Sequence, residues 1–321
     1  MLSFRWVIAF GYWMEEAVRF KLRQMEAFRA VMMTGSMNGA ARLLYVSQPA
    51  ISRLIAHTEQ TLGLRLFDRD GGKLTPTAEA ELLFKEVGAL FEEAVRVDEF
   101  ARDLSSNPAG ALCFCCSPSL ALNFIPPVVA RYLKQFPQVK VKFHTAQLAD
   151  VADELLTRKV ELAVSVLPLD HPNLVVEPFA AGRMVCIVPQ EHPLASEDEV
   201  ELRQIADYLL IGYARTMPFG CLMASAFDRV GAQYQPSVEI MRAESACTLV
   251  REGAGIAIVD EFSVSGHGWS GVVVKPLREN IPLTLSMLRS RFDKQSSHAR
   301  ELASMIRQHA RSQGRGIDTR V

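Results

Sequence analysis

MEAFRAVMMTGSMNGAARLLYVSQPAISRLIAHTEQTLGLRLFDRDGGKLTPT, residues Met25 to Thr77, is the stretch that decides the fold. Leu22, Met25, Phe28 and Ala30-Val31 recur at helical spacing, and Gly35 stands where a left-handed C-cap would end that helix. Ser36 is a suitable N-cap for a short alanine-rich helix from Met37 to Leu44. Ser47 can cap a third helix, with Pro49 in its first turn, where a missing N–H costs nothing. Ala50, Ile51, Leu54, Ile55, Thr58 and Leu62 make the apolar face of that helix, and Gln48, Ser52, Arg53, His57 and Gln60 lie opposite. Gly63–Phe67 and Lys73–Thr75 then flank the turn Asp68–Gly72 and predict a small β-hairpin.

Three short helices and a basic hairpin make a winged helix-turn-helix, in which a rigid helix presents side chains to the major groove. Gln48 can bond adenine bidentately, Arg53 can reach guanine or phosphate, and Ser52 suits either role. Arg69 and Lys73 on the wing carry no base code and are expected at phosphates or in the minor groove, with Arg42 and His57 as further phosphate candidates. From Val18 to Lys73, nine Lys/Arg stand against four acids, a balance of +5 that suits a polyanion.

Outward from this block, Leu83, Val87, Leu90, Ala94, Val97, Ala101 and Leu104 step alternately by four and three. That is an a/d heptad seam, which pairs two helices, and packing against its own domain is the other reading. Pro76–Leu104 holds eight acids and three basic residues, so the basic character stops at the hairpin. Ser105–Gly110 reads as a linker. Beyond it, apolar strands are expected at 111–116, 139–144, 161–167, 184–188, 208–212, 255–259 and 272–276. Helices are expected near 120–135, 147–158, 219–230, 243–252 and 296–311, an α/β alternation.

The stretch Met25–Thr77 resembles the DNA-binding domain of LysR-type transcriptional regulators. The resemblance rests on Ala40-Ala41-x-Leu43, Ser47-Gln48-Pro49-Ala50-Ile51-Ser52, Glu59-x-x-Leu62-Gly63-x-x-Leu66-Phe67-x-Arg69 and Leu74-Thr75-Pro76-Thr77, and it continues over nearly the whole chain from about residue 21. Asp70 departs from the pattern, since relatives often carry another basic residue there. The resemblance implies an α+β architecture: a winged helix-turn-helix over 21–79, a dimerising linker helix over 80–108, and a two-lobed effector domain of periplasmic-binding-protein type over 109–321. It further implies a homodimer or homotetramer on dyad-symmetric promoter DNA, DNA contacts through Ser47, Gln48, Pro49, Ser52, Arg53, Arg69 and Lys73, and it leaves contact with RNA polymerase open. Within the family, SQPAISRLI, LTPTAEAELLF and LVREGAGIAIVDEFSV are similar to regulators of opine and amino-acid catabolism.

Composition agrees with a globular protein. The 321 residues are 49% hydrophobic and 22% charged with a net charge of -1, which excludes disordered, collagen-like and disulfide-scaffold chains. None of the six cysteines has a histidine at zinc-finger spacing and the seven histidines show no ligand spacing, so neither a metal site nor a cofactor is expected. Cys113, Cys115 and Cys116 lie in an apolar run and read as buried reduced thiols, which points to the cytoplasm. No transmembrane run is present. G-x-S-x-G, a Walker loop and H-E-x-x-H are all missing, so the enzyme reading is poorly supported and no catalytic residue is assigned. A free solute receptor, or an enzyme with an accessory DNA domain, remains as the rival class. Residues 1–20 are set apart as an N-terminal extension. Its apolar segment, with Trp6 and Trp13, is interrupted by Gly11 and lacks a cleavage site, so the natural start is expected at Met14 or Val18.

The effector site follows from strand ends. In two-lobed α/β receptors the ligand sits beyond the carboxyl ends of strands, where helix N-termini point inward. Ser117 and Ser119 follow the first strand, Thr145 follows the second and Ser165 lies at the end of the third, so all are candidates for a carboxylate. Asp260 follows the strand Gly255–Val259 and could meet an ammonium or guanidinium group. Plain helix capping is an equal reading for Ser119 and Asp260. The combination suits an amino acid or opine, with an aromatic or aliphatic carboxylate as the alternative.

Overall fold

A computed structural model of the chain describes residues 19–70, 73–106, 111–266 and 269–317. Within these, the side chains of 69, 70, 73, 99, 100 and 103–106 are excepted. The expectation about the natural start therefore lies outside the described residues. Contacts divide the chain into two compact units, Met1–Ser106 and Asn107–Val321.

In the first unit α1 (Leu22–Thr34), α2 (Met37–Leu43) and α3 (Gln48–Leu62) precede a hairpin of β1 (Phe67–Asp70) and β2 (Lys73–Pro76), and α4 (Ala78–Ser106) follows. Gly35 closes α1 at φ 65° with its N–H on the Val31 carbonyl, a left-handed conformation that costs glycine nothing. The Ser36 hydroxyl caps α2 by accepting from the Gly39 N–H at 3.0 Å. Phe28, Val31, Ala40, Ile51, Ile55 and Leu66 are buried together, so each helix spends its apolar face on the other two. The hairpin ladder runs from Phe67↔Pro76 to Asp70↔Lys73. Asp68, Arg69 and Asp70 are thus strand rather than turn, because pairing satisfies their backbone groups.

The heptad seam divides along α4. Val87 is buried and Leu83 partly so, packed with Phe84 and Phe91 into the core of this unit, and the Arg29 guanidinium lies 5.1 Å from the Phe91 ring centre. Leu90 is 42% exposed, Val97 is 55% exposed, and Ala94 and Ala101 are exposed. The expectation of one continuous pairing seam is therefore corrected: its first half packs on the helices of its own unit. The side chain of Leu104 lies outside the described residues.

The second unit is built on one sheet. Its strands are β3 (Ala111–Cys116), β4 (Lys140–Thr145), β5 (Leu162–Ser165), β6 (Leu174–Pro189), β7 (Leu210–Tyr213), β8 (Val238–Ile240), β9 (Ile256–Asp260), β10 (Val272–Pro276) and β11 (Pro282–Ser290). The order is β4-β3-β5-β11-β6-β9-β7-β8, with β10 also on β6. The helices are α5 (Leu120–Asn123), α6 (Pro126–Gln135), α7 (Leu148–Leu156), α8 (Leu202–Ile205), α9 (Pro218–Arg229), α10 (Ala243–Arg251) and α11 (Ser297–Ser312).

The long β6 makes two lobes of this sheet. Its first part pairs β11 from Leu174 to Arg183, and its last part pairs β9 and β10 from Met184 onward. In the first lobe Leu112, Phe114 and Cys116 face α6 and α11, while Cys115 and Ala163 face α7. In the second, Cys186 and Val188 pack with α8 and α9, and Val185 and Ile187 with α10. Both faces of each lobe are covered, the arrangement parallel strands require. The helix expected over 120–135 is two helices, restarted by Pro126-Pro127, which lack the N–H groups that would continue α5.

Candidate nucleic-acid interface and effector pocket

The chain builds its candidate interface on α3. Ile51, Ile55 and Thr58 are buried, so the helix cannot rotate without exposing apolar surface. Gln48 and Arg53 are exposed on the other side and Ser52 is half-buried. Gln48 Nε2 donates to Ser52 Oγ at 2.8 Å, one turn along, and Arg53 Nε approaches the Pro49 carbonyl at 3.4 Å. Ser47 holds the N-cap position but makes no side-chain cap bond. Pro49 explains this, since it removes one of the N–H groups a cap would serve. His57 departs from the phosphate expectation. Its Nδ1 lies 3.1 Å from Gln24 Nε2 on α1 and 2.8 Å from Thr61 Oγ1, and a donating amide makes Nδ1 the acceptor and Nε2 the N–H. His57 thus ties α3 to α1.

The wing is fastened to the same helix. Glu59 Oε1 accepts from the backbone N–H of Leu66 at 2.8 Å and of Phe67 at 3.2 Å. Thr77 Oγ1 donates to the Arg65 carbonyl at 2.8 Å and accepts from the Ala80 N–H at 3.2 Å, capping α4. Arg69 and Lys73 sit in register opposite Leu74 and Asp70. Their side chains fall outside the described residues.

In the second unit a cavity of about 270 Å³ opens between the lobes. Ser117, Ser119, Ser165 and Asp260 line it, as the strand-end argument requires. Thr145 does not; Ala146, Gln147, Leu148 and Ala149 take that side. Thr145 pairs with Cys116 inside the ladder, one residue short of the rim. Leu148, Val166, Leu167, Met217, Phe219 and Met241 make the wall mainly apolar, and the Tyr213 ring stacks on Phe219 with centres 5.0 Å apart.

The hydroxyls differ in what they are free to do. Ser165 Oγ is spent within its own turn, donating to the Leu167 carbonyl at 2.7 Å and accepting from its N–H at 3.2 Å. Ser117 Oγ accepts from the Val166 N–H at 3.2 Å. Asp260 is buried and caps the turn Glu261–Ser263, accepting from the Ser263 N–H at 3.2 Å and hydroxyl at 2.8 Å. The Ser119 side chain, beside the same carboxylate, makes no cap bond to α5, so the capping reading holds for Asp260 and not for Ser119. Burial raises the Asp260 pKa, and these hydrogen bonds oppose the rise. Sequence reasoning missed Arg242, which also lines the cavity. It is exposed and forms no ion pair or side-chain hydrogen bond among the described residues. Its signal was the strand end at Ile240, but β8 is only three residues long and was not expected.

Two family models match this chain: the bacterial regulatory helix-turn-helix of the lysR family over residues 22–81, and the LysR substrate binding domain over 105–311. The chain belongs to the LysR family of bacterial transcriptional regulators. As a LysR regulator it couples a DNA-binding unit to a domain for a small-molecule effector. The regulatory protein NocR of Agrobacterium fabrum is 34% identical over 260 residues, which is 81% of this chain and 87% of that protein. The octopine catabolism/uptake operon regulatory protein OccR of Rhizobium meliloti is 34% identical over 239 residues, 74% of this chain and 79% of the relative. Full-length CbnR, solved in complex with its target DNA, has the same fold, with a TM-score of 0.70 and 19% identity over 91% of this chain and 99% of its own. Both NocR and OccR, as LysR relatives, are regulatory proteins. Among the described residues no helix is long and apolar enough to cross a membrane.

Proposed function

We propose that this LysR regulator is a cytoplasmic one-component switch whose effector is an amino acid or an opine. The observation that carries the reading is the pairing of charges in one small apolar cavity: the unpaired Arg242 guanidinium and the buried Asp260 carboxylate. Arg242, with Ser117 and Gln147, offers donors to an α-carboxylate. Asp260 accepts two hydrogen bonds, both from Ser263, and a carboxylate has roughly four acceptor positions, which leaves room for an amino group. A volume of about 270 Å³ lies below the ~300–1,000 Å³ of pockets for drug-sized ligands and favours a small effector. The similarity to the octopine operon regulator supports the same class.

On the DNA side Gln48, Ser52 and Arg53 face the major groove, with Ser47, Pro49, Arg69 and Lys73 along the backbone. The exposed half of α4 pairs two chains, and two such dimers form a tetramer on a dyad-symmetric operator.

Calorimetry with arginine, ornithine and octopine against benzoate tests the effector class. The expected result is binding of one of the first three and a loss of about tenfold or more in Arg242→Gln, the scale of a charge-assisted hydrogen bond. Binding of benzoate alone, or an effector affinity unchanged in both Arg242→Gln and Asp260→Asn, overturns it.

A further inference from the structure

Away from the cavity, on the other face of the first lobe, three ligand-type side chains from three elements converge. Cys115 on β3 and His144 on β4 are register partners on neighbouring parallel strands, so both point to the face that α7 covers. Glu154, in the last turns of α7, reaches back over them, and its Oε2 lies 2.9 Å from His144 Nε2. The Cys115 sulfur, the His144 ring nitrogen and the Glu154 oxygen all lie within 4.8 Å of one another. Their burial is graded. Cys115 is fully buried, the Glu154 side chain is 19% exposed and that of His144 is 48% exposed. Among the described residues Glu154 pairs with no lysine or arginine, so its charge is left to the imidazole and the thiol.

We propose that Cys115, His144 and Glu154 form a binding site for a divalent cation of the zinc class. One sulfur, one nitrogen and one carboxylate oxygen suit a borderline-soft ion that takes four ligands in a tetrahedron. Bonds of ~2.3 Å to sulfur and ~2.0–2.2 Å to nitrogen and oxygen place tetrahedral ligands about 3.3–3.6 Å apart. The His144–Glu154 pair has only to open by a few tenths of an ångström, and rotation about the χ angles of His144 and Glu154 supplies that. The exposed His144 side gives the ion its entry path and leaves the fourth position to water. Binding replaces the thiol proton, which leaves to solvent, so the thiolate, imidazole and carboxylate together hold the cation. The three ligands join β3, β4 and α7, and the residues that follow β3 and β4, with the first turn of α7, line the effector cavity. A cation at this place therefore clamps the segments that make one wall of that cavity. The proposal is independent of the effector's identity.

The test is titration of the chelator-treated full-length protein with Zn²⁺ against a chromophoric chelator, with Co²⁺ as a spectroscopic probe. Cys221→Ser serves as the background, since Cys221 is exposed and could bind metal adventitiously. One equivalent per chain is expected, with a thiolate-to-cobalt charge-transfer band that Cys115→Ser abolishes. His144→Ala, at a side chain 48% exposed, should weaken Zn²⁺ binding by more than the ~10–100-fold typical of a supporting contact. Glu154→Gln should do the same. The proposal is overturned by a thiolate band that persists in Cys115→Ser, by an absence of stoichiometric binding in the background protein, or by an unchanged affinity in His144→Ala and Glu154→Gln.

Discussion

The Glu59 carboxylate accepts the Leu66 backbone N–H at 2.8 Å, a bond that fastens the wing to the recognition helix. A second bond from the Phe67 N–H to the same oxygen makes the joint bidentate on the backbone side. The wing therefore keeps its position relative to the groove-facing side chains through one carboxylate. Glu59→Ala leaves two N–H groups of a buried segment without their acceptor, which costs about 2 kcal/mol. Chemical denaturation should show that loss, and operator affinity should fall with it at temperatures near the transition.

On DNA, Arg53→Ala and Gln48→Ala should each lose ~1–3 kcal/mol on the specific operator and much less on random DNA. Gel shifts at a fixed salt concentration measure both. Equal losses on the two DNAs would reassign these side chains to phosphates.

Along α4 two valines ten residues apart should behave differently. Val97 is more than half exposed, so Val97→Glu should split the assembly in sedimentation while leaving the melting temperature of the chain close to wild type. Val87 is buried with Phe28, Leu66 and their neighbours, so Val87→Glu places a charge in that core and should unfold the DNA-binding unit. Circular dichroism separates the two outcomes.

For Asp260 the direction of the pH effect follows from burial. Its folded pKa lies above the ordinary 3.8, so between that value and the raised one the native state holds a proton that the unfolded chain has lost. The native chain binding more protons, the contribution of Asp260 to stability is greatest below 3.8 and declines as the pH rises through the window above it. The difference in unfolding free energy between wild type and Asp260→Asn, followed by denaturation across mildly acidic pH, should carry that slope. A difference that stays flat over the window would mean that Ser119 and Ser263 offset the burial completely.

Local rules in the chain determined a great deal. Gly35 and Ser36 end one helix and begin the next because one tolerates a positive φ and the other carries a hydroxyl at capping distance, and both act within four residues. The apolar period of Ile51, Ile55 and Thr58 names the buried side of α3, and so exposes Gln48 and Arg53 without any tertiary information. Ser117, Ser119 and Asp260 could be placed on a cleft because strand ends and helix starts are local features and the α/β layout puts them on one rim. What the chain left open lies where distant segments compete. The seam of α4 has the same four-three spacing at Val87 and Val97, yet α1 is there to cover only the first, and periodicity contains no record of which neighbour arrives. β11 pairs β5 and β6 at once and is buried on both faces, so it shows no alternation to read. Arg242 depends on a three-residue strand held only by β7. Cys115, His144 and Glu154 are 29 and 10 residues apart, without any ligand spacing, and only the parallel register of β3 on β4 under α7 brings them together. Spacing along the chain reports contacts within one element, and contacts between elements wait for the sheet to form.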